Sequence, residues 1–168
     1  EHEQEARIRA FWGQVMILNW YVGEAEKRHD PYLLAHVVAD LVLFGGRLIL
    51  AHNKILFPYH KWFMYEVRRA AHKPADFVAL AEALLAQPNQ ARAQALCDSL
   101  AAYYGDSISL HEAGALFMVD SEWSWRTGRL SPAAAGRQGP CRRTSPPADP
   151  PTTGFRPRGL LLLARRLL

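Results

Sequence analysis

Cysteines, phosphate-binding glycine loops and strand-like patterning are all scarce in this chain of 168 residues. Its two cysteines, Cys97 and Cys141, stand far apart with no Cys-x-x-Cys pair. That excludes a disulfide framework and a cysteine zinc site, and makes a reducing, cytoplasmic setting the expectation. Neither Gly-x-Gly-x-x-Gly nor a P-loop run occurs. His111-Glu112 is not followed by the second histidine of His-Glu-x-x-His, so no metal site is expected. No stretch alternates apolar and polar residues with β-branched enrichment, and no internal repeat is visible. The first residues, Glu1-His2-Glu3-Gln4-Glu5, carry neither the basic start nor the apolar run of a signal peptide. They read as the middle of a helix, and so as a fragment that follows an upstream domain.

What is there divides at Ser131. Residues 1–130 are rich in Ala, Leu, Val, Trp and Tyr, with 13 Lys and Arg against 15 Asp and Glu. Residues 131–168 hold seven Arg, no Lys, one acid (Asp149) and seven of the eleven prolines. The overall charge of +4 therefore belongs to the tail, and the body is slightly acidic. A basic isoelectric point is no argument here for a nucleic-acid-binding fold, and nucleic acid is not an expected partner. Residues 1–130 have the size of one domain. Residues 131–168 cannot build a core and are expected to be disordered. Their Arg-rich, Lys-free composition reads as translation outside the proper frame, with a natural basic tail as the alternative.

Helix signals recur through the body. Ile8, Phe11, Trp12, Val15, Leu18 and Val22 step by three and four residues over Glu3–Arg28. Asp30-Pro31 supplies a capping carboxylate and a proline at the first helical position. The helix it opens is expected to run to about Asn53. Its run from Pro31 to Ala51 is long enough to span a bilayer, but it contains His36, Asp40 and Arg47. It reads as the buried central helix of a bundle, with no membrane as partner. Gly45-Gly46 within it implies close approach by a neighbouring helix. Further helices are expected from Lys61 to Ala71, from Pro74 to Ala86, and from Gln87-Pro88 to near Tyr104-Gly105. A last one starts at the Ser109/Glu112 capping box and ends near Thr127-Gly128. Trp123 and Trp125 read as core. The expected architecture is all-α, a bundle of five to six helices.

Two constellations carry chemistry. Taken at about 100° per residue, His36, Asp40, Arg47 and Lys54 share one stripe about 40° wide on an otherwise apolar helix. Such a stripe faces a ligand cleft, a polar neighbour or solvent, because an unpaired buried charge is costly. His36 and Asp40, at i,i+4, can touch. Beyond the helix end, Phe57-Pro58-Tyr59-His60-Lys61-Trp62 brings together aromatics, which stack on planar or sugar rings, and a lysine, which pairs with phosphate. The alternative is that Tyr59 and Trp62 plug the core.

The run His29-Asp30-Pro31-Tyr32-Leu33-Leu34, the helix through Arg47, Leu50-Ala51-His52-Asn53 and Phe57-Pro58-Tyr59-His60-Lys61-Trp62 together resemble the C-terminal helical domain of nucleotidyltransferases related to kanamycin nucleotidyltransferase. The resemblance covers roughly residues 15–70. It departs from the family at His29, in place of the glycine of Gly-Asp-Pro, and at His52, in place of a leucine. The family's catalytic half carries a Gly-Ser motif and spaced aspartates that hold Mg²⁺. This chain has no Gly-Ser pair and no Asp-x-Asp. The resemblance thus implies a substrate-binding domain that is inactive by itself. Mg²⁺ and a nucleoside triphosphate would belong only to the complete enzyme. The implied partners are an N-terminal or separate catalytic domain and a small-molecule acceptor. The residues it points to as substrate-binding are His36, Asp40, Arg47, Asn53, Tyr59, Lys61 and Trp62. Glu24 and Glu26 are the candidates for a base acting on an acceptor hydroxyl.

Arg47 and His52 also fit the Arg-x4-His spacing of HEPN ribonucleases, whose helical domains are similar in architecture. Residues five apart diverge by about 140° on a helix, so a ribonuclease would need a homodimer or a distorted helix to bring them together. A non-catalytic helical interaction module is the third reading.

Overall fold

The computed structural model describes residues 2–105 and 108–119, which form six α-helices and, among the described residues, no strand. They are α1 (His2–Arg28), α2 (Pro31–His52), α3 (His60–Arg69), α4 (Phe77–Ala86), α5 (Gln90–Tyr104) and α6 (Leu110–Met118). The fold is all-α. Residues 120–168, with Trp123, Trp125 and the proposed tail, lie outside the described residues, as does the expected end of the last helix.

α1 and α2 form an antiparallel hairpin. The side-chain amide of Gln4 donates to Ala51 O at 2.8 Å, tying the first turn of α1 to the last turn of α2. At the other end the link is two residues long. His29 takes a left-handed conformation (φ 52°), the Asp30 N–H returns to Ala25 O at 3.1 Å and the His29 N–H to Glu26 O at 3.0 Å. That double bond closes a helix whose last carbonyls have no intrahelical donor. Asp30 Oδ1 then accepts the Leu33 N–H at 2.9 Å and starts α2, with Pro31 in the first helical position. α2 closes by the same device. Lys54 is left-handed (φ 57°), Ile55 N–H reaches Leu50 O at 2.9 Å and Lys54 N–H reaches Ala51 O at 3.1 Å. Lys54 is therefore not on the helix.

α2 is long and apolar enough to cross a membrane by length and composition, yet 61% of its most apolar window is buried. Leu41, Leu48, Ile49 and Leu50 are fully buried in a core shared with Phe11, Val15 and Val22 of α1, Phe77 of α4, and Leu96 and Leu100 of α5. The glycine pair lets two neighbours come close, as the sequence implied. A Cβ on Gly46 would stand 2.2 Å from Phe63 Cζ, where α3 seats Phe63 and Val67. A Cβ on Gly45 would stand 3.1 Å from Phe77 Cε2 and 3.3 Å from Leu100 Cδ1.

Two helix starts differ from expectation, and at a third the capping box is only half formed. Pro74–Asp76 forms a turn, with Phe77 N–H on Pro74 O at 3.3 Å, so α4 begins at Phe77. α5 begins after Asn89, whose Oδ1 accepts the Arg92 N–H at 2.9 Å, so Pro88 precedes the cap. At α6, Ser109 Oγ accepts the Glu112 N–H at 3.1 Å as expected, but the Glu112 carboxylate bonds Arg9 of α1. α5 meets α1 through polar groups. Glu26 Oε2 accepts the Gln90 N–H at 3.0 Å, Gln90 donates to Asn19 at 3.1 Å, and Asn19 donates to Gln94 at 2.8 Å.

Candidate functional site

The α2 terminus, the first three turns of α1 and the turn at 54–57 enclose an open cavity of about 370 Å³. Its charged lining is Glu3, Arg7, Arg47 and Lys54, with Gln4 beside them, and its apolar lining includes Phe11 and Phe57. Arg47 is the unusual member. It is 5% exposed, and the central carbon of its guanidinium lies 4.7 Å from the Phe11 ring centre, 5.0 Å from Phe57 and 5.7 Å from Phe44. Among the described residues no carboxylate pairs with it; the ion pairs present lie elsewhere. Burial, and then the nearby charge of Arg7, push it down to about 10, so it stays cationic at neutral pH. The aromatic faces offset part of the desolvation cost, since a ring quadrupole attracts a cation at this range. Arg7 holds the one local carboxylate, Glu3, at 2.7 Å. Lys54 reaches this lining because its left-handed backbone turns the chain off the α2 axis.

The expected stripe is thereby divided. Arg47 and Lys54 line the cavity, while His36 and Asp40 do not. His36 Nε2 lies 3.6 Å from Asp40 Oδ2 on the surface, with the His36 side chain 56% exposed and Tyr32 stacked on its ring. A shared angular position did not give a shared environment. Phe11 and Phe57 close over the Arg47 end of α2, and among the described residues nothing comparable covers His36.

The other expected site residues separate by what holds them. Asn53 is engaged by backbone: its amide donates to Ile49 O at 2.8 Å and His72 O at 2.7 Å, and its Oδ1 accepts the His72 N–H at 2.8 Å. It clamps the 70–73 turn to the end of α2. Tyr59 and Trp62 are 70% and 53% exposed, so neither plugs the core. Lys61 sits 5.4 Å over the Trp62 ring, and Tyr65 meets Trp62 edge-on at 6.0 Å. Neither Tyr59 nor Lys61 lines the Arg47 cavity. Glu24 pairs with Lys27 at 2.9 Å and Arg28 at 3.2 Å, and the Lys27 bond holds it below the usual carboxylate range. The carboxylate of Glu26 is used at the start of α5.

His52 does not join Arg47. Its ring stacks on Tyr104 at 3.9 Å, and its Nε2 is buried without a partner among the described residues. Burial holds it below the usual histidine range. Tyr104, whose hydroxyl donates to His72 O at 2.7 Å, is pushed above the usual tyrosine range by burial, then by Tyr103. Arg47 and His52 thus occupy different flanks of α2.

Sequence reasoning missed Glu3, Arg7 and Phe11. The signal was available: residues three, seven and eleven lie at i, i+4 and i+8 and so follow one face of α1. It also passed over the Asp-x-Glu spacing of Asp120 and Glu122, which lies outside the described residues. Among the described residues no group of three His, Cys, Asp or Glu side chains could hold a metal ion. Compared with known proteins, the chain matches no family model, no curated protein and no solved structure.

Proposed function

We propose that this chain is the substrate-binding helical domain of a nucleotidyltransferase, shaping the site into which a catalytic partner delivers a nucleoside monophosphate to an acceptor hydroxyl. One observation carries the reading. Of the segments that resemble the family, the end of α2 (Arg47, Leu50, Ala51) and Phe57 line a cavity whose buried Arg47 has no carboxylate partner among the described residues. An arginine so placed binds phosphate or carboxylate through its planar fork of donors. Lys61, Tyr59 and Trp62 form a second exposed edge that offers a cation and ring faces to an acceptor. Mg²⁺ and the nucleoside triphosphate enter with the catalytic domain.

The test is a thermal-shift and calorimetric screen of the full chain against nucleoside triphosphates and a panel of aminoglycosides and other sugars. A saturable response to a triphosphate or an acceptor is expected, weakened by Lys61→Ala or Arg47→Ala, with no nucleotide transfer by the chain alone. No response to any of them would overturn the reading. Metal-independent RNA cleavage abolished by Arg47→Ala and His52→Ala would replace it with the ribonuclease reading.

A further inference from the structure

The cavity at the end of α2 has a composition that specifies its ligand more narrowly than the functional reading does. Three cations line it against one acid. The acid, Glu3, is the more exposed partner: its side chain is 82% exposed and it reaches Arg7 through a single oxygen at 2.7 Å. Arg47 is the opposite, 5% exposed and fixed among three rings. Beside the cations the lining is apolar, formed by Phe11, Leu50, Ile55, Leu56 and Phe57, with the Phe57 ring against the Arg47 guanidinium. Leu56 is 87% exposed, a large aliphatic side chain left at the mouth.

We infer that this cavity binds the dianionic head of a small phosphomonoester between Arg7, Arg47 and Lys54, with the ligand's apolar body along Phe57 and Leu56, and that Glu3 is an internal competitor the phosphate displaces from Arg7. A monoanionic carboxylate would leave an excess of positive charge in the cavity; a phosphate near neutral pH carries close to two charges and has three oxygens to share among three donors. The guanidinium fork suits those oxygens, and the low-dielectric surroundings of Arg47 strengthen the bond. Glu3 marks the place an anionic oxygen takes, since its Oε1 already occupies it beside Arg7. Bound phosphate also removes an energetic burden from the fold, because a buried cation without a counter-ion is costly until one arrives. The inference rests on the functional reading only in taking this cavity as the ligand site.

The probes are inorganic phosphate and phenyl phosphate, added to the full chain and followed by thermal melting and by titration calorimetry. Phenyl phosphate is expected to bind one per chain, more tightly than inorganic phosphate, and to raise the melting temperature as ligand concentration rises. Glu3→Gln is expected to tighten both several-fold. Lys54→Asn keeps a residue tolerant of the left-handed backbone and removes the charge. It is expected to weaken binding at least about tenfold, the scale of one charge-assisted bond. Arg47→Met is expected to abolish the melting response. Equal binding by wild type, Lys54→Asn and Arg47→Met would overturn the inference, as would the absence of a saturable response in both wild type and Glu3→Gln. So would equal affinity for the two phosphates, because the apolar wall would then be idle. The two proposals fail separately. Phosphate binding without any response to triphosphates or acceptors ends the nucleotidyltransferase reading alone. Triphosphate binding indifferent to Glu3, Arg47 and Lys54 ends this one alone.

Discussion

Two regions of the molecule hold a cation over an aromatic ring, and they behave as opposites. In the interior, Arg47 lies among Phe11, Phe44 and Phe57, 5% exposed and without a carboxylate. On α3, Lys61 rests over Trp62 at 5.4 Å and Arg69 over Tyr65 at 5.1 Å, with both rings about half exposed. The contact type is shared; the solvent is not. On α3 water solvates the charge whether or not the ring is there, so each pair adds about 0.5–1 kcal/mol at most. At Arg47 the rings stand in for water, and incompletely. The lesson is that a ring contact says little about function until the burial of its cation is known.

The comparison is tested most severely by removing a ring from each region. Phe11→Ala is expected to cost about 3–5 kcal/mol in chemical denaturation, because it empties core volume as well as uncovering Arg47. Trp62→Ala is expected to stay within about 0.5 kcal/mol. A large loss at Trp62 would mean the α3 surface is structural after all. Next in size is Gly46→Ala, which drives a methyl into the Phe63 ring and is expected to cost about 1–3 kcal/mol. Amide exchange on the variant should show α3 loosened while α1 around Phe11 keeps its protection, separating the two regions physically.

A smaller effect, of unusual sign, belongs to the cation itself. Arg47→Met is expected to leave stability unchanged or raise it by up to about 2 kcal/mol, as relief of an unpaired buried charge competes with loss of ring contacts. A loss above about 1 kcal/mol would show that the rings keep Arg47 for structural reasons. The last test concerns pH. Burial keeps His52 neutral in the fold below its ordinary value, so the unfolded chain takes the proton first. Stability is then untouched above pH about 6.5 and falls as pH drops from there toward the folded-state value. His52→Phe, which preserves stacking on Tyr104, is expected to flatten that acid limb in melts between pH 7 and pH 5.

The helices were legible because their starts are written locally. Asp30-Pro31 and Ser109 act through bonds to residues three further on, and such signals survive any packing. Pro74 and Pro88 misled, since a proline marks a break without saying on which side the helix resumes; Asn89 held that information. The site was half legible. Arg47 stood out as a charge in an apolar run, but Lys54 was placed on the helix that in fact ends before it, by a left-handed turn formed without glycine. The partition of the stripe could not be read at all. It depends on Phe57 folding back over one end of α2, a contact set by the 54–57 turn and not by helical period.

The amide-lined contact between α1 and α5 has a consequence for how the molecule breathes. Asn19, Gln90, Gln94 and the Glu26 carboxylate gain little by meeting one another, since water offers each the same bonds. α1 and α2, joined by interlocked apolar side chains, have no such substitute partner. The first turn of α5, which this network holds, is therefore expected to lose amide protection before the hairpin that carries the cavity, while Leu96 and Leu100 keep the middle of α5 in the core. The cavity meets the first part of α1 and this network its last part, so ligand exchange and local melting are expected to stay apart along that helix.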